Sequence, residues 1–247
     1  YFLFLNSDLK LHSKCVGELA KVLESDTNVG GTIPKILYID QQNTINSLGV
    51  LINYTGIAYP NLLGQKDSGY QEPFESACGG IFMLRREVYE TVGGFDEDLF
   101  LYHEDHDLSW RVRLAGWRLK VVPRAIMHHH YKFNKGVFKY YSSEKNRLHI
   151  LLKNMEVKTL ALIFPALITI EFLQWFHAVL HRWFLLKVKS YIEILKIFPR
   201  ILIKRKKLKL LRKVSDKEIT RVYKGTLAIS GTNNPLLTYL LSPALNT

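Results

Sequence analysis

Apolar residues recur along this chain with two different periods, and later with almost none. Tyr1 to Leu5 is a continuous aromatic and aliphatic run of the kind that fills a central parallel strand, closed by the polar turn Asn6-Ser7-Asp8. Leu11, Cys15, Leu19 and Leu23 repeat at helical spacing and predict a helix within Leu11 to Glu24. "VGGTIPKILY" predicts a turn and a strand, and the polar, Gly- and Asn-dotted stretch from Asp40 to Tyr70 predicts short strands and a long loop. Ile81 to Leu84 then reads as a strand and Arg86 to Val92 as a short helix stopped by Gly93-Gly94. Leu108, Val112 and Ala115 mark one face of a further helix that ends at Gly116. "RLKVVPRAIMHHHY" alternates as a strand broken at Pro123, and "KYYSSEKNRLHILLKN" restarts a helix. Strands alternating with helices predict an α/β architecture.

From Val157 the periodicity fades. "VKTLALIFPALITIEFLQWFHAVL" is apolar nearly throughout, interrupted by Pro165, Glu171, Gln174 and His177, and "RILIKRKKLKLLRK" mixes leucines with a block of cations. The division expected is 1–156 as an α/β unit, 157–224 as an apolar and basic helical region, and 225–247 as an uncharged tail to which no role is assigned. Charge follows the same boundary. Residues 1–156 carry 18 Lys+Arg against 18 Asp+Glu, residues 157–247 carry 16 against 4, and the formal net charge of +12 lies wholly in the second part. That basic block is interleaved with Leu and Ile rather than aromatics, so it predicts no nucleic-acid binding. Two cysteines, Cys15 and Cys78, give neither a disulfide framework nor a zinc spacing.

The densest chemistry is "YHEDHDLSWRVRLAGW", where His103, Glu104, Asp105, His106 and Asp107 crowd together. Each carboxylate raises the cost of ionising the next, which favours a proton acceptor tuned upward. Asp107 fits a helix N-cap. "HHH" at His128 to His130 cannot place three rings on one ion from a strand, because alternation sends His128 and His130 to one face and His129 to the other. Asp8 follows the first strand, at the end where open α/β sheets bind ligands. Gly79 and Gly80 would let backbone approach a ligand closely. Trp110 and Trp117 read as core residues, and Arg147 as part of a solvated helix face.

Four segments in order, Asn6-Ser7-Asp8, "CGGIFMLRREVYETVGGFDEDLF", "YHEDHDLSWRVRLAGW" and "VVPRAIMHHH", resemble the second half of a family 2 glycosyltransferase catalytic domain of the GT-A fold. The resemblance runs to the rhamnosyltransferase-like enzymes of bacterial cell-surface polysaccharide synthesis and covers Tyr1 to Lys153. It implies an α/β half-domain with a mixed, mostly parallel sheet, followed by an α-helical, membrane-associated tail. The family's first β-α units would then precede Tyr1. It also implies Asp105 as the general base, Glu104 as a ligand of the acceptor hydroxyl, and Gly79, Gly80 and Asn6 at the substrate. Asp8 and His129 would hold Mg²⁺ or Mn²⁺, with Asn6 standing where the family's metal motif has its first acid.

The activity implied is inverting transfer of a sugar, rhamnose or another hexose, from a nucleotide-diphospho-sugar donor to a lipid-linked or polysaccharide acceptor. Two alternatives stay open at this point, a non-catalytic membrane-tethered sugar-binding remnant and a metal-dependent hydrolase. Glu171 and Gln174 interrupt the apolar run near its middle, where a lipid-exposed carboxylate is costly, so an interfacial helix or hairpin is expected rather than a span. Lys204, Arg205, Lys206 and Lys207 would meet an anionic membrane surface at the cytoplasmic face.

Overall fold

The computed structural model describes residues 1–130 and 137–225. The uncharged stretch assigned to 225–247 lies, from residue 226 on, outside the described residues. The α/β part contains β1 (Phe2–Phe4), β2 (Leu9–Leu11), α1 (Cys15–Ser25), β3 (Val29–Tyr38), β4 (Ile45–Leu48), β5 (Val50–Ile52), β6 (Ala58–Pro60), β7 (Phe74–Glu75), β8 (Phe82–Leu84), α2 (Arg86–Val92), α3 (Glu104–Leu114) and β9 (Arg118–His129). Four helices follow: α4 (Val137–Asn154), α5 (Val157–Leu180), α6 (Phe184–Leu211) and α7 (Asp216–Thr220).

The main sheet runs β1-β8-β3-β9-β2, with β4 added to β3 and β7 to β9. It is mixed, as expected, but not mostly parallel. Only β3 and β9 pair in parallel, and the other described pairs are antiparallel. An apolar run reports burial and carries no information on strand direction, which is why the sequence misleads here. The same limit explains the place of Tyr1–Leu5. Its strand β1 sits at one end of the order, where Phe4 packs on Phe82, Tyr89 and Phe95 with ring centroids 5.2–5.5 Å apart. The central strand is β3, whose first nine residues are all buried.

Pro123 bends β9 without ending it. The parallel register jumps from Pro34↔Val122 to Lys35↔Ile126, so the residues around the proline bulge out where no N–H is available to the ladder. Cys15, Leu19 and Leu23 of α1 cover one face of the sheet through Ile36, Val122 and Met127. Leu108 and Val112 of α3, with Ala115 at its C-cap, cover the other, on Ile33, Leu84 and Val121. Trp110 is buried in core, and Trp117 is partly buried against it, as expected.

The helical part is keyed to this body by polar groups. Arg147 is buried rather than solvated. Its guanidinium donates to Glu144, to Thr55 O at 2.7 Å, and to Glu171 and Gln174 of α5. Lys187 of α6 donates to Glu144 at 2.5 Å, Glu171 at 2.8 Å and Gln174 at 2.7 Å. The two residues that interrupt the apolar run therefore face inward onto cations. Buried charges persist only when paired in this way. The cationic block divides as well: Lys204 bonds Asp96 and Asp98, and Arg205 donates to Leu152 O, so neither is a free surface charge.

Candidate active site

The acidic cluster is built on a strained turn. Tyr102 and His103 both adopt φ of +66°, a left-handed conformation that costs non-glycine residues about 1–3 kcal/mol each. Asn146 of α4 holds that turn, its amide donating to Leu101 O at 2.9 Å and Tyr102 O at 2.7 Å. His103 O accepts from the Asp107 amide, so α3 begins at Glu104, four residues earlier than an Asp107 cap would require. Asp107 is instead a fully buried ion-pair centre, at 2.8 Å from Arg111 and 2.7 Å from Lys153, with Asn154 donating to it at 2.8 Å. Burial alone would raise its pKa, but the two cations pull it down to about 2.

The other two acids turn toward a cleft of about 450 Å³ whose lining includes Asn6, Gly80, Phe100, Glu104 and Asp105. Burial pushes Asp105 up to about 6, partly offset by the His106 amide that donates to its Oδ1 at 2.8 Å. Burial and then the charge of Asp105 push Glu104 up to about 7, and Glu104 Oε2 is buried without a hydrogen-bond partner. Asp105 gives up its proton before Glu104 does. His103, lowered to about 4 by burial and by Arg147, stays neutral beside them.

Gly80 and Gly79 separate. A Cβ at Gly80 would lie 3.4 Å from Asp105 Oδ2, so the missing side chain leaves that carboxylate open. A Cβ at Gly79 would strike Ile33 at 2.5 Å, so close packing on the central strand requires glycine there.

Asn6 lines this cleft, and two residues on the chain reaches Asp8, whose Oδ2 lies 3.0 Å from His129 Nε2. The second ring nitrogen, Nδ1, is 3.0 Å from Asn46 Oδ1. Both ring nitrogens of His129 thus face side-chain oxygens, and Asp8 and His129 are the two groups here that could hold a divalent cation. An oxygen and an imidazole nitrogen suit Mn²⁺ or Mg²⁺. Among the described residues no group of three or more His, Cys, Asp and Glu gathers. The strand alternation holds: His129 is buried, while His128 is half-buried and His130 exposed, 3.3 Å from Asp40.

Asn146 stands beside Arg147 in "KNRL" and has no acid–base chemistry of its own that would single it out in the sequence. The only signal for it is three-dimensional, the two carbonyls it holds.

Residues 62–135, which include the glycine pair, the acidic cluster and the histidines, match the family described as the N-terminal domain of galactosyltransferase. An N-acetylglucosaminyl-diphospho-decaprenol L-rhamnosyltransferase of Mycobacterium tuberculosis is 39% identical over 66 residues, which is 27% of this chain and 22% of that protein. Rhamnosyltransferase WbbL of Escherichia coli is 30% identical over 150 residues, 56% of this chain and 55% of its own. The chain thus spans about half the length of the second of these relatives and less of the first. A crystal structure of GalNAc-T7 with UDP, GalNAc and Mn²⁺ aligns over 61% of this chain and 31% of its own, with a TM-score of 0.47 and 17% identity. In its ordered motifs and over these stretches the chain is similar to family 2 glycosyltransferases of the GT-A type, of the rhamnosyltransferase-like group.

Proposed function

We propose that this chain carries the acceptor side of an inverting glycosyltransferase. Asp105 takes the proton of the acceptor hydroxyl as that oxygen attacks the anomeric carbon of a nucleotide-diphospho-sugar. A positioned base of this kind contributes about 10²–10⁴ in rate. Its burial-raised pKa of about 6 leaves it ionised at neutral pH yet basic enough to accept a proton. Glu104, held near 7, keeps a share of its proton and orients the same hydroxyl. Asn6 and Gly80 border the sugar. Asp8 and His129 are the groups that would hold Mg²⁺ or Mn²⁺, which supplies charge compensation for the departing nucleoside diphosphate. The lipid-linked diphospho-sugar in the mycobacterial relative's name favours a lipid-linked or polysaccharide acceptor, which this chain would meet at the cytoplasmic face of the membrane. The rhamnosyltransferase relatives favour rhamnose, or another hexose, as the sugar moved.

One observation carries this reading: a tuned carboxylate at the wall of an open cleft, uncovered by Gly80. The test is product analysis on the full-length protein with a panel of nucleotide-diphospho-sugars and a lipid-linked N-acetylglucosamine acceptor. Acceptor-dependent glycoside formation is expected. Acceptor-independent release of free sugar would identify a hydrolase, and binding without turnover of any donor a non-catalytic remnant.

A further inference from the structure

We infer that the α5–α6 hairpin seats the protein on an anionic lipid surface, lying flat in the headgroup layer rather than crossing it. This rests on the membrane location proposed above and not on the transfer chemistry. The starting observation is an inversion of the usual pattern. Among the described residues of α5, the outward side carries Leu162, Phe164, Ile168, Phe172, Phe176 and Val179, each 53–79% exposed. Four of them repeat at i, i+4, and no charged side chain lies on that side between Lys158 and Arg182. Contiguous exposed apolar surface of this size marks an interaction site.

The opposite side of α5 is occupied by protein. Ile163 joins Leu151 and Met155, Ile170 packs with Ile57, and Glu171 and Gln174 bond Arg147 and Lys187. By length and hydropathy α5 could cross a bilayer. A spanning orientation would draw the polar body bonded along it, including Thr55 and α4, into hydrocarbon, where each unpaired polar group costs several kcal/mol. Lying in the interface needs none of that, since only the apolar side enters lipid.

The second helix supplies the charge. α6 exposes Leu185, Ile192, Leu195, Ile203 and Leu210, and beside them Lys189, Lys196, Arg200 and Lys207 succeed one another at seven, four and seven residues, which is one row along a helix. Lys196 and Arg200 touch Glu193 and Asp98 but stay 64% and 62% exposed. An apolar side edged by cations complements acyl chains beneath phosphate headgroups. A second copy seated face to face would set the same cation row against itself.

The experiment uses the full-length protein without donor or acceptor, so its failure is separate from failure of the enzymatic reading. Single cysteines replace Leu162, Phe172 or Val179, all exposed, and are labelled with an environment-sensitive fluorophore; Cys15 and Cys78 are buried. Vesicles of phosphatidylcholine with phosphatidylglycerol carry nitroxides at headgroup or deep acyl positions. Equal quenching of all three labels by the shallow nitroxide is expected. Deep quenching at Phe172 with shallow ends would mean a span and overturn the inference. No quenching, with a dimer by light scattering, would mean that a second copy covers the face and would overturn it too. Lys189→Gln, Lys196→Gln and Lys207→Gln together should weaken anionic-vesicle partition about a hundredfold, from about fivefold per cation. Unchanged partition would remove the cation row from the account.

Discussion

Asp105 and Asp107 stand two residues apart on one helix turn, and replacing each by asparagine should move stability in opposite directions. Asp107 is fully buried between Arg111 and Lys153. Removing one partner of a buried ion pair costs about 3–5 kcal/mol, because the cations left behind stay desolvated. At about 2–4 °C per kcal/mol for a chain of this size, Asp107→Asn should lower Tm by about 6–20 °C. The sign follows from its depressed pKa. A carboxylate at about 2 in the fold, against about 3.9 unfolded, contributes stability above pH 4, lost as pH falls toward 2.

Asp105 has no cation beside it, and burial raises it to about 6. Its folded form favours the proton, so its contribution is full below pH 4 and lost as pH rises through 6. The full shift from 3.9 corresponds to about 2.9 kcal/mol, which partial exposure at the cleft reduces to about 1–2 kcal/mol. Asp105→Asn should therefore stabilise the protein by about that amount at pH 7.5 and leave it unchanged near pH 4. Asparagine keeps the oxygen that accepts from His106 N. Urea unfolding of the two variants and the parent at both pH values reads the difference. Loss of stability in both variants at pH 7.5, or a Tm change below 2 °C for Asp107→Asn, would refute the reasoning.

Three further outcomes follow from the same geometry. Asp8→Ala should abolish the Mn²⁺ or Mg²⁺ response of transfer and match the parent in chelator, measured as initial rate against metal concentration; full parent activity in chelator would remove Asp8 and His129 from the site together. Asn146→Ala frees the two carbonyls that hold the strained turn, so kcat should fall tenfold or more with donor KM nearly unchanged, and Asn146→Gln should recover part of the rate. The acidic limb of the kcat profile should lie near pH 6, and Glu104→Gln should leave it there, because Glu104 still holds its proton as Asp105 ionises.

Much of the α/β part was legible because its elements are short and strongly periodic. Leu19 and Leu23 announce α1, Gly93-Gly94 and Gly116 punctuate two helices, and the acidic cluster stands out by charge density alone. Strand direction was not legible, since Phe2–Phe4 is equally apolar in a parallel or antiparallel place. Nor was the difference between Asp105 and Asp107, because the cations that separate them, Lys153 and Arg111, reach Asp107 from a helix 46 residues on and from the next turn. Glu171 and Gln174 read as flaws in an apolar helix for the same reason: their partners Arg147 and Lys187 lie on other helices. Gly79 and Gly80 look alike in sequence and diverge only when Ile33 and Asp105 come up against them.

The central claim is that Asp105 is the proton acceptor of the transfer, and single-turnover kinetics of Asp105→Asn in the full-length protein tests it most directly. Donor and metal would be pre-bound and a lipid-linked acceptor added. The rate should fall by about 10²–10⁴ while donor affinity stays within about twofold, since asparagine keeps the shape and removes only the basicity. A rate within tenfold of the parent, with the pH 6 limb still in place, would contradict it.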